Sequence, residues 1–291
     1  MATSARSDRE LVESWVASLG SMVTRRNFSM TAERFLEALR VPLRQATVED
    51  VREALQRITA GAAPSSARQY TARIKSLSAY AHRLGYLPFN AGAVIRLMPE
   101  QRALAKRLLG EVEVSHLVRS AARERDYVLV AVAYATGLRV SEVVGLNCAD
   151  IVARGDERLQ LHVIGKGGKE RDILLPTDLA PPLLALIAGR APDDPVFVST
   201  RRERNRLTSR AVGYLLKRLA KRAKVTQQVS PHWLRHAHAS HAIDRGAPLP
   251  VVQATLGHGN IAVTSAYLHA RPGTASGEVL DPAVWKQREA Q

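Results

Sequence analysis

The chain has 291 residues, enough for two domains of ordinary size. Its 42 Lys and Arg against 27 Asp and Glu give a formal charge of +15, a field that draws polyanions, nucleic acid first and an anionic membrane surface second. No apolar run reaches the length of a membrane-spanning helix, and the N-terminus lacks the apolar core of a signal peptide. The single cysteine, Cys148, excludes an internal disulfide framework, argues against a cysteine-rich zinc site and fits a reducing cytoplasm; it reads as a small buried side chain.

The first hundred residues read as short amphipathic helices. Leu11, Val12, Trp15, Val16 and Leu19 share one helical face. A second helix, over 30–39, carries Phe35, Leu36 and Leu39. Thr47 is an expected N-cap for a third, with Val48, Val51, Leu55 and Ile58 on one side. After the break at Gly61-Ala-Ala-Pro-Ser, Ser65 or Ser66 is expected to cap a longer helix. That helix turns Tyr70, Ile74, Leu77, Tyr80 and Leu84 inward. Arg68, Arg73 and Lys75 on its other positions are candidate DNA contacts.

Residues 99–112 read as a linker. A long apolar helix through Tyr127 and Ala133 follows, stopping at Thr136-Gly137, and a new helix starts near Val140. Leu159, Leu161 and Val163 alternate as one strand, and Ile173 and Leu175 as the next. The glycine-rich turn Gly165-Lys166-Gly167-Gly168-Lys169-Glu170 joins them. Val196-Phe197-Val198 reads as a third short strand. From 201 to 224 there are ten Lys and Arg and a single acid, Glu203. Val212, Leu215, Leu216 and Leu219 make part of that stretch a helix with a basic outer face. Unpaired like charges repel unless a partner neutralises them, so Arg201, Arg202, Arg204 and Arg210 are candidate phosphate contacts.

Four segments carry chemistry: Thr136-Gly-Leu-Arg139-Val-Ser-Glu142, Gly165-Lys166-Gly-Gly-Lys-Glu-Arg171, His232-Trp-Leu-Arg235-His236, and Gly257-His258-Gly with Tyr267 nine residues on. Moving a phosphoryl group to a phenol builds charge on the non-bridging oxygens. Guanidinium forks such as Arg139 and Arg235 fit those oxygens bidentately and keep their charge. A phenol with an ordinary pKa near 10 needs a base or a cationic field beside it. The leaving 5′ oxygen needs a general acid, and a lysine on a hairpin tip can reach it. Each piece alone is commonplace, since a lone HxxR is usually a surface pair and a lone tyrosine usually packs. The order of all of them carries the signal.

Together the segments resemble the active site of the tyrosine recombinase (phage integrase) family, in a simple two-domain, Xer-like form. The resemblance is strongest over 130–270. It implies a mostly α fold with a small β-sheet (α+β). A helical, SAM-like core-binding domain would span 1–102, and a mixed α/β catalytic domain with a three-stranded sheet 103–271. A tail at 272–291 has the apolar anchors Val279, Leu280, Val284 and Trp285 and departs from the short basic tail of Xer enzymes. It is expected to dock on a neighbouring subunit, with docking on its own domain as the alternative. By the resemblance Arg139, Arg235 and His258 hold the scissile phosphate and Lys166 is the general acid, with Lys169 as the alternative. His232 takes the nucleophile's proton or positions the phosphate, Tyr267 attacks, and Glu142 orients Arg139 or His232.

No cofactor, metal or ATP is expected, because the phosphotyrosine bond conserves the energy of the broken phosphodiester. His232 and His236 have the spacing of zinc ligands, but Arg235 between them would oppose a cation. His236, His238 and His241 read as packing or DNA-facing residues. The expected partner is double-stranded DNA with an inverted-repeat core site, bound by a homotetramer that works through a Holliday junction. An accessory protein or second recombinase is a further possible partner. The expected place is the cytoplasm, at the nucleoid. Two alternatives stand beside this reading: a type IB topoisomerase-like relaxing enzyme, and a catalytically silent DNA-binding protein of the same fold.

Overall fold

The computed structural model describes residues 3–99, 109–155, 158–165, 167–199, 205–227 and 229–257. The chain divides into two compact units, Met1–Arg102 and Ala103–Gln291. Each has its own apolar core.

The first unit is helical: α1 (Asp8–Ala17), α2 (Met22–Ala38), α3 (Val48–Thr59), α4 (Pro64–Arg83) and the short α5 (Ala91–Val94). Ser7, Ser21 and Thr47 each cap a helix by accepting a backbone N–H three residues on, and Asp50 returns the bond to Thr47. The core is built on Leu11, Trp15, Phe35, Leu55, Ile74 and Leu77. Two expectations are corrected here. The second helix starts at Met22 rather than near 30, because Ser21 caps it there; its first turns carry the exposed Met22 and Val23. The fourth starts at Pro64 with Ala63 as N-cap, so neither Ser65 nor Ser66 caps it; proline supplies a preset φ at the first turn.

In the second unit, α6 (Glu111–Arg119), α7 (Glu124–Thr136) and α8 (Val140–Gly145) lead into a three-stranded antiparallel sheet. The strands are β1 (Ile151–Ala153), β2 (Leu159–Ile164) and β3 (Glu170–Leu174), in the order β1-β2-β3. Ile151 faces Leu161 and Ile164 faces Glu170. Then come α9 (Ala180–Ile187), α10 (Ser209–Arg222), α11 (Pro231–Asp244) and α12 (Leu249–Leu256). Helix α7 is apolar almost all round and runs through the core, packing on α6, α8, α9 and α11.

The sheet is of the expected size, but its third strand is Ile151–Ala153, not Val196-Phe197-Val198. The latter run is bonded piecemeal: the Val196 N–H donates to the Leu146 carbonyl, and the Phe197 carbonyl accepts from the Leu207 N–H. It forms only isolated bridges, with Val196 and Phe197 fully buried in the core. The stretch 99–112 is also not all linker, since α6 begins at Glu111; residues 100–108 lie outside the described residues.

Candidate active site

Helix α7 ends on Gly137, which has the left-handed φ of +61°. That turn carries Arg139 to the N-cap of α8. Glu142 sits three residues on and folds back: its Oε2 accepts the Arg139 N–H at 2.8 Å, and its Oε1 accepts Arg139 Nη1 at 2.8 Å. The carboxylate therefore fixes both the backbone and the fork of Arg139. Glu142 is buried, whereas the Arg139 side chain keeps about a third of its surface open. Among the described residues, Nη2 and Nε of Arg139 take no protein partner.

A second guanidinium meets the same carboxylate. Arg171, on β3, donates from Nη1 to Glu142 Oε1 at 3.2 Å and from Nη2 to Oε2 at 2.8 Å. Its Nε donates to the Thr255 carbonyl at 2.9 Å, near the end of α12. Burial pushes the Glu142 carboxyl upward. The hydrogen bonds from Arg171 and from the backbone and side chain of Arg139 outweigh it, so the group is held below its ordinary 4.5.

Arg235, on α11, is buried with 2% of its surface exposed. Its Nη1 donates to the Gly137 carbonyl at 2.7 Å and its Nη2 to the Leu256 carbonyl at 2.6 Å. Thus Arg235 joins the turn that precedes Arg139 to the end of α12. Arg139, Glu142, Arg171 and Arg235 form one connected cluster with the backbone at Gly137 and at 255–256. His232 lies on α11 one turn before Arg235, is exposed, and packs edge-on to His236 with ring centroids 4.5 Å apart. No group of three or more metal-ligating side chains occurs among the described residues.

Lys166, His258 and Tyr267 lie outside the described residues, as do Arg201, Arg202, Arg204 and the tail at 272–291. The backbone that leads to two of them is described. Gly165 donates its N–H to the Lys169 carbonyl at 2.7 Å, closing the hairpin, and Lys169 is exposed on it. Gly257 ends α12 with φ +63° just before His258.

The described basic residues divide by what they bind. Lys75 Nζ, expected to face DNA, is turned inward here and donates to the carbonyls of Gly92 and Ile95, so it ties α5 to α4. Arg73 donates to Thr31 Oγ1 at 2.8 Å and stacks over Phe28 and Tyr70, an internal role. Arg68 is half-buried, with Nε buried. Arg210 is exposed at the start of α10, over the Tyr214 ring. Arg206, within the basic stretch, donates to the carbonyls of Val144, Gly145 and Leu146 and so closes the end of α8. A cavity of about 390 Å³ lies beside α10, lined by Arg123, Arg125, Tyr214 and Arg218 among others; none of its lining residues belongs to the arginine cluster.

Two of the remaining histidines are packing residues. His241 is buried and its Nδ1 lies 2.9 Å from the Tyr134 hydroxyl. His238 lies against Gly137. Cys148 is half-buried rather than buried, in the turn before β1, and burial pushes its thiol up. Two contributors went unassigned in the sequence. One is Arg171; the other is the set of backbone carbonyls that receive Arg171 and Arg235. Strand alternation offered a signal for Arg171, because it lies on the same side of β3 as the buried Ile173. Nothing in a sequence announces the carbonyls.

Residues 105–273 match the family model described as the phage integrase family. The chain belongs to the phage integrase family, whose members cut and rejoin DNA strands. It is 32% identical over 247 residues to the tyrosine recombinase XerC of Corynebacterium efficiens, covering 81% of this chain and 77% of that one. It is 33% identical over 266 residues to the tyrosine recombinase XerD of Brucella suis biovar 1, covering 84% of each. Among solved structures it is similar in fold to the XerH site-specific recombinase in a post-cleavage complex with its palindromic difH substrate. That match has a TM-score of 0.71 at 20% identity and covers 91% of this chain and 82% of that one.

Proposed function

We propose that the chain is a site-specific DNA recombinase that cleaves one strand at a time through a 3′-phosphotyrosine bond to Tyr267. The observation that carries this reading is the arginine cluster. Arg139 and Arg235 are immobilised by Glu142 and by backbone carbonyls, and the fork of Arg139 keeps donors to spare. Preorganised guanidinium groups suit the charge that develops on a phosphoryl group during transfer. The turn at Gly257 and the hairpin at Gly165 both reach this cluster, which favours His258 as a third phosphate ligand and Lys166, or Lys169, as the acid for the leaving 5′ oxygen. His232 would take the tyrosine's proton.

The first unit, Met1–Arg102, would bind the duplex as the core-binding domain. The expected substrate is double-stranded DNA with an inverted-repeat core site. Four subunits would hold two such sites and exchange strands through a Holliday junction, with the 272–291 tail joining neighbours and an accessory protein or second recombinase as a further partner. No described helix is long and apolar enough to cross a membrane, and the proposed place of action is the cytoplasm, at the nucleoid.

The test is to incubate the protein with fragmented host DNA, quench with SDS and sequence whatever stays attached, with Tyr267→Phe alongside. Attachment by the wild type alone at recurring inverted repeats is the expected result. Scattered attachment would replace this reading with a topoisomerase-like one. Binding without attachment by either protein would replace it with a DNA-binding protein that does not cut.

A further inference from the structure

Glu142 accepts four hydrogen bonds, two from Arg139 and two from Arg171. One carboxylate thus neutralises one of two guanidinium charges and locks the geometry of both. The two arginines are not equivalent. Among the described residues Arg139 keeps unused donors and an open side, whereas Arg171 spends Nε, Nη1 and Nη2 on protein partners and leaves only 13% of its side chain exposed. Arg171 therefore acts through the protein groups it holds, Glu142 and the Thr255 carbonyl.

Its bonds join three separate stretches, its own strand and two others. It stands on β3, the strand that leaves the lysine hairpin. Its fork lies on Glu142 of α8, and its Nε lies on the Thr255 carbonyl of α12, which packs against β3. Both glycines that flank the site leave no room for a side chain to pass it freely. A Cβ on Gly257 would sit 3.2 Å from the guanidinium of Arg171, and one on Gly165 would sit 3.3 Å from its Nη1 and from Glu142 Oε1.

We infer that Arg171 is a positioning residue of the recombination reaction, tying the hairpin strand, the Arg139–Glu142 pair and the last turn of α12 into one unit so that Arg139 meets the scissile phosphate already oriented. The inference rests on the recombinase reading above. Its chemistry follows from the carboxylate. Without Arg171, Glu142 has a single guanidinium partner, and the cheapest repair is for Arg139 to swing both nitrogens onto it. That repair withdraws from the phosphate the donors Arg139 now keeps free.

The experiment uses the full chain and the site recovered by SDS trapping, in single-turnover cleavage with DNA at saturation. Arg171→Ala and Arg171→Lys are compared with wild type on two substrates, the ordinary phosphodiester and one with a methylphosphonate at the scissile position. The neutral methylphosphonate lacks the charge that Arg139 engages. On the phosphodiester both variants are expected to cleave roughly 10- to 100-fold more slowly, the range seen when hydrogen bonds behind a ligand are removed, with DNA affinity within about twofold of wild type. Lysine keeps the charge but cannot make the three bonds, so it keeps the fold without restoring the rate. On the methylphosphonate the gap to wild type is expected to shrink to about threefold or less, because the lost orientation no longer acts on a charged oxygen. An equal loss on both substrates, or no loss on the phosphodiester, overturns the role of Arg171 and leaves the recombinase reading standing. Failure of the wild type to attach to DNA through Tyr267 overturns that reading, and the role of Arg171 in it.

Discussion

Arg235 donates to the carbonyl oxygen of Gly137, 2.7 Å away, across 98 residues of sequence. The same fork reaches the Leu256 carbonyl at 2.6 Å. One planar group thereby holds two chain turns, one leading to Arg139 and one to His258. Arg235→Lys is expected to fail at both tasks, since an ammonium is a point donor and cannot bridge two carbonyls with fork geometry. Covalent attachment to DNA should drop about 100- to 1,000-fold, as for loss of a preorganised transition-state donor. A carbonyl left without its donor costs about 1–3 kcal/mol, so denaturant midpoints should fall as well. A lysine variant as active and as stable as wild type would remove Arg235 from the proposed site.

Gly137 is constrained from two directions. Its φ is +61°, and a Cβ there would lie 2.5 Å from His238 Cδ2 and 2.8 Å from Leu256 Cδ2. Gly137→Ala is expected to cost about 1–2 kcal/mol in backbone strain. Displacing two packed side chains adds about 1–3 kcal/mol. Because the Gly137 carbonyl receives Arg235, cleavage should fall beyond what unfolding explains. Comparing single-turnover rates at a temperature where both proteins are fully folded would separate the two effects.

Burial holds His238 down to about 4, against its ordinary 6.5, with the charges of Arg235 and His241 adding to the effect and a bond to the Tyr134 backbone opposing it. The unfolded chain binds this proton near 6.5 and the folded chain refuses it until about 4. Stability from the neutral His238 is therefore full above 6.5 and is lost as the pH falls towards 4. At roughly 1.4 kcal/mol per pH unit the loss approaches about 3 kcal/mol. Glu142, held below 4.5, adds its own loss only at more acid pH. Denaturation measured across the window should show a steeper acid slope for wild type than for His238→Gln. Parallel slopes would mean that His238 titrates normally.

The helical fold was legible wherever a buried stripe repeats at helical spacing, as in Leu11, Val12 and Trp15 or Val212, Leu215 and Leu219. The strand pair was legible because Leu159, Leu161 and Val163 alternate inward. Strand Ile151–Ala153 was not, because it has three residues and exposes Val152. Val196-Phe197-Val198 misled in the opposite direction: it is apolar because it lies in the core, and helices as well as strands provide that burial. The arginine-bearing segments stood out as chemistry, but their connections did not. Arg171, Arg206 and Lys75 look like surface cations in sequence, yet their bonds to Glu142 or to distant carbonyls depend on turns no local pattern records.

That difference makes a sharp prediction for DNA binding. Arg210 is exposed at the start of α10 and needs no protein partner beyond Tyr214. Lys75 is half-buried and bound to the carbonyls of Gly92 and Ile95. If Arg210 neutralises a phosphate, Arg210→Ala should reduce the slope of log affinity against log salt by about 0.9, the yield of one released counterion, without changing stability. Lys75→Met should leave the slope unchanged and lower the stability of the first unit by about 1–3 kcal/mol, because two carbonyls lose their donor. Binding titrations over a range of salt, paired with thermal denaturation, test both at once. A shallower salt slope for Lys75→Met would show that the ammonium leaves its carbonyls for DNA, and an unchanged slope for Arg210→Ala would place the phosphate-contacting surface elsewhere.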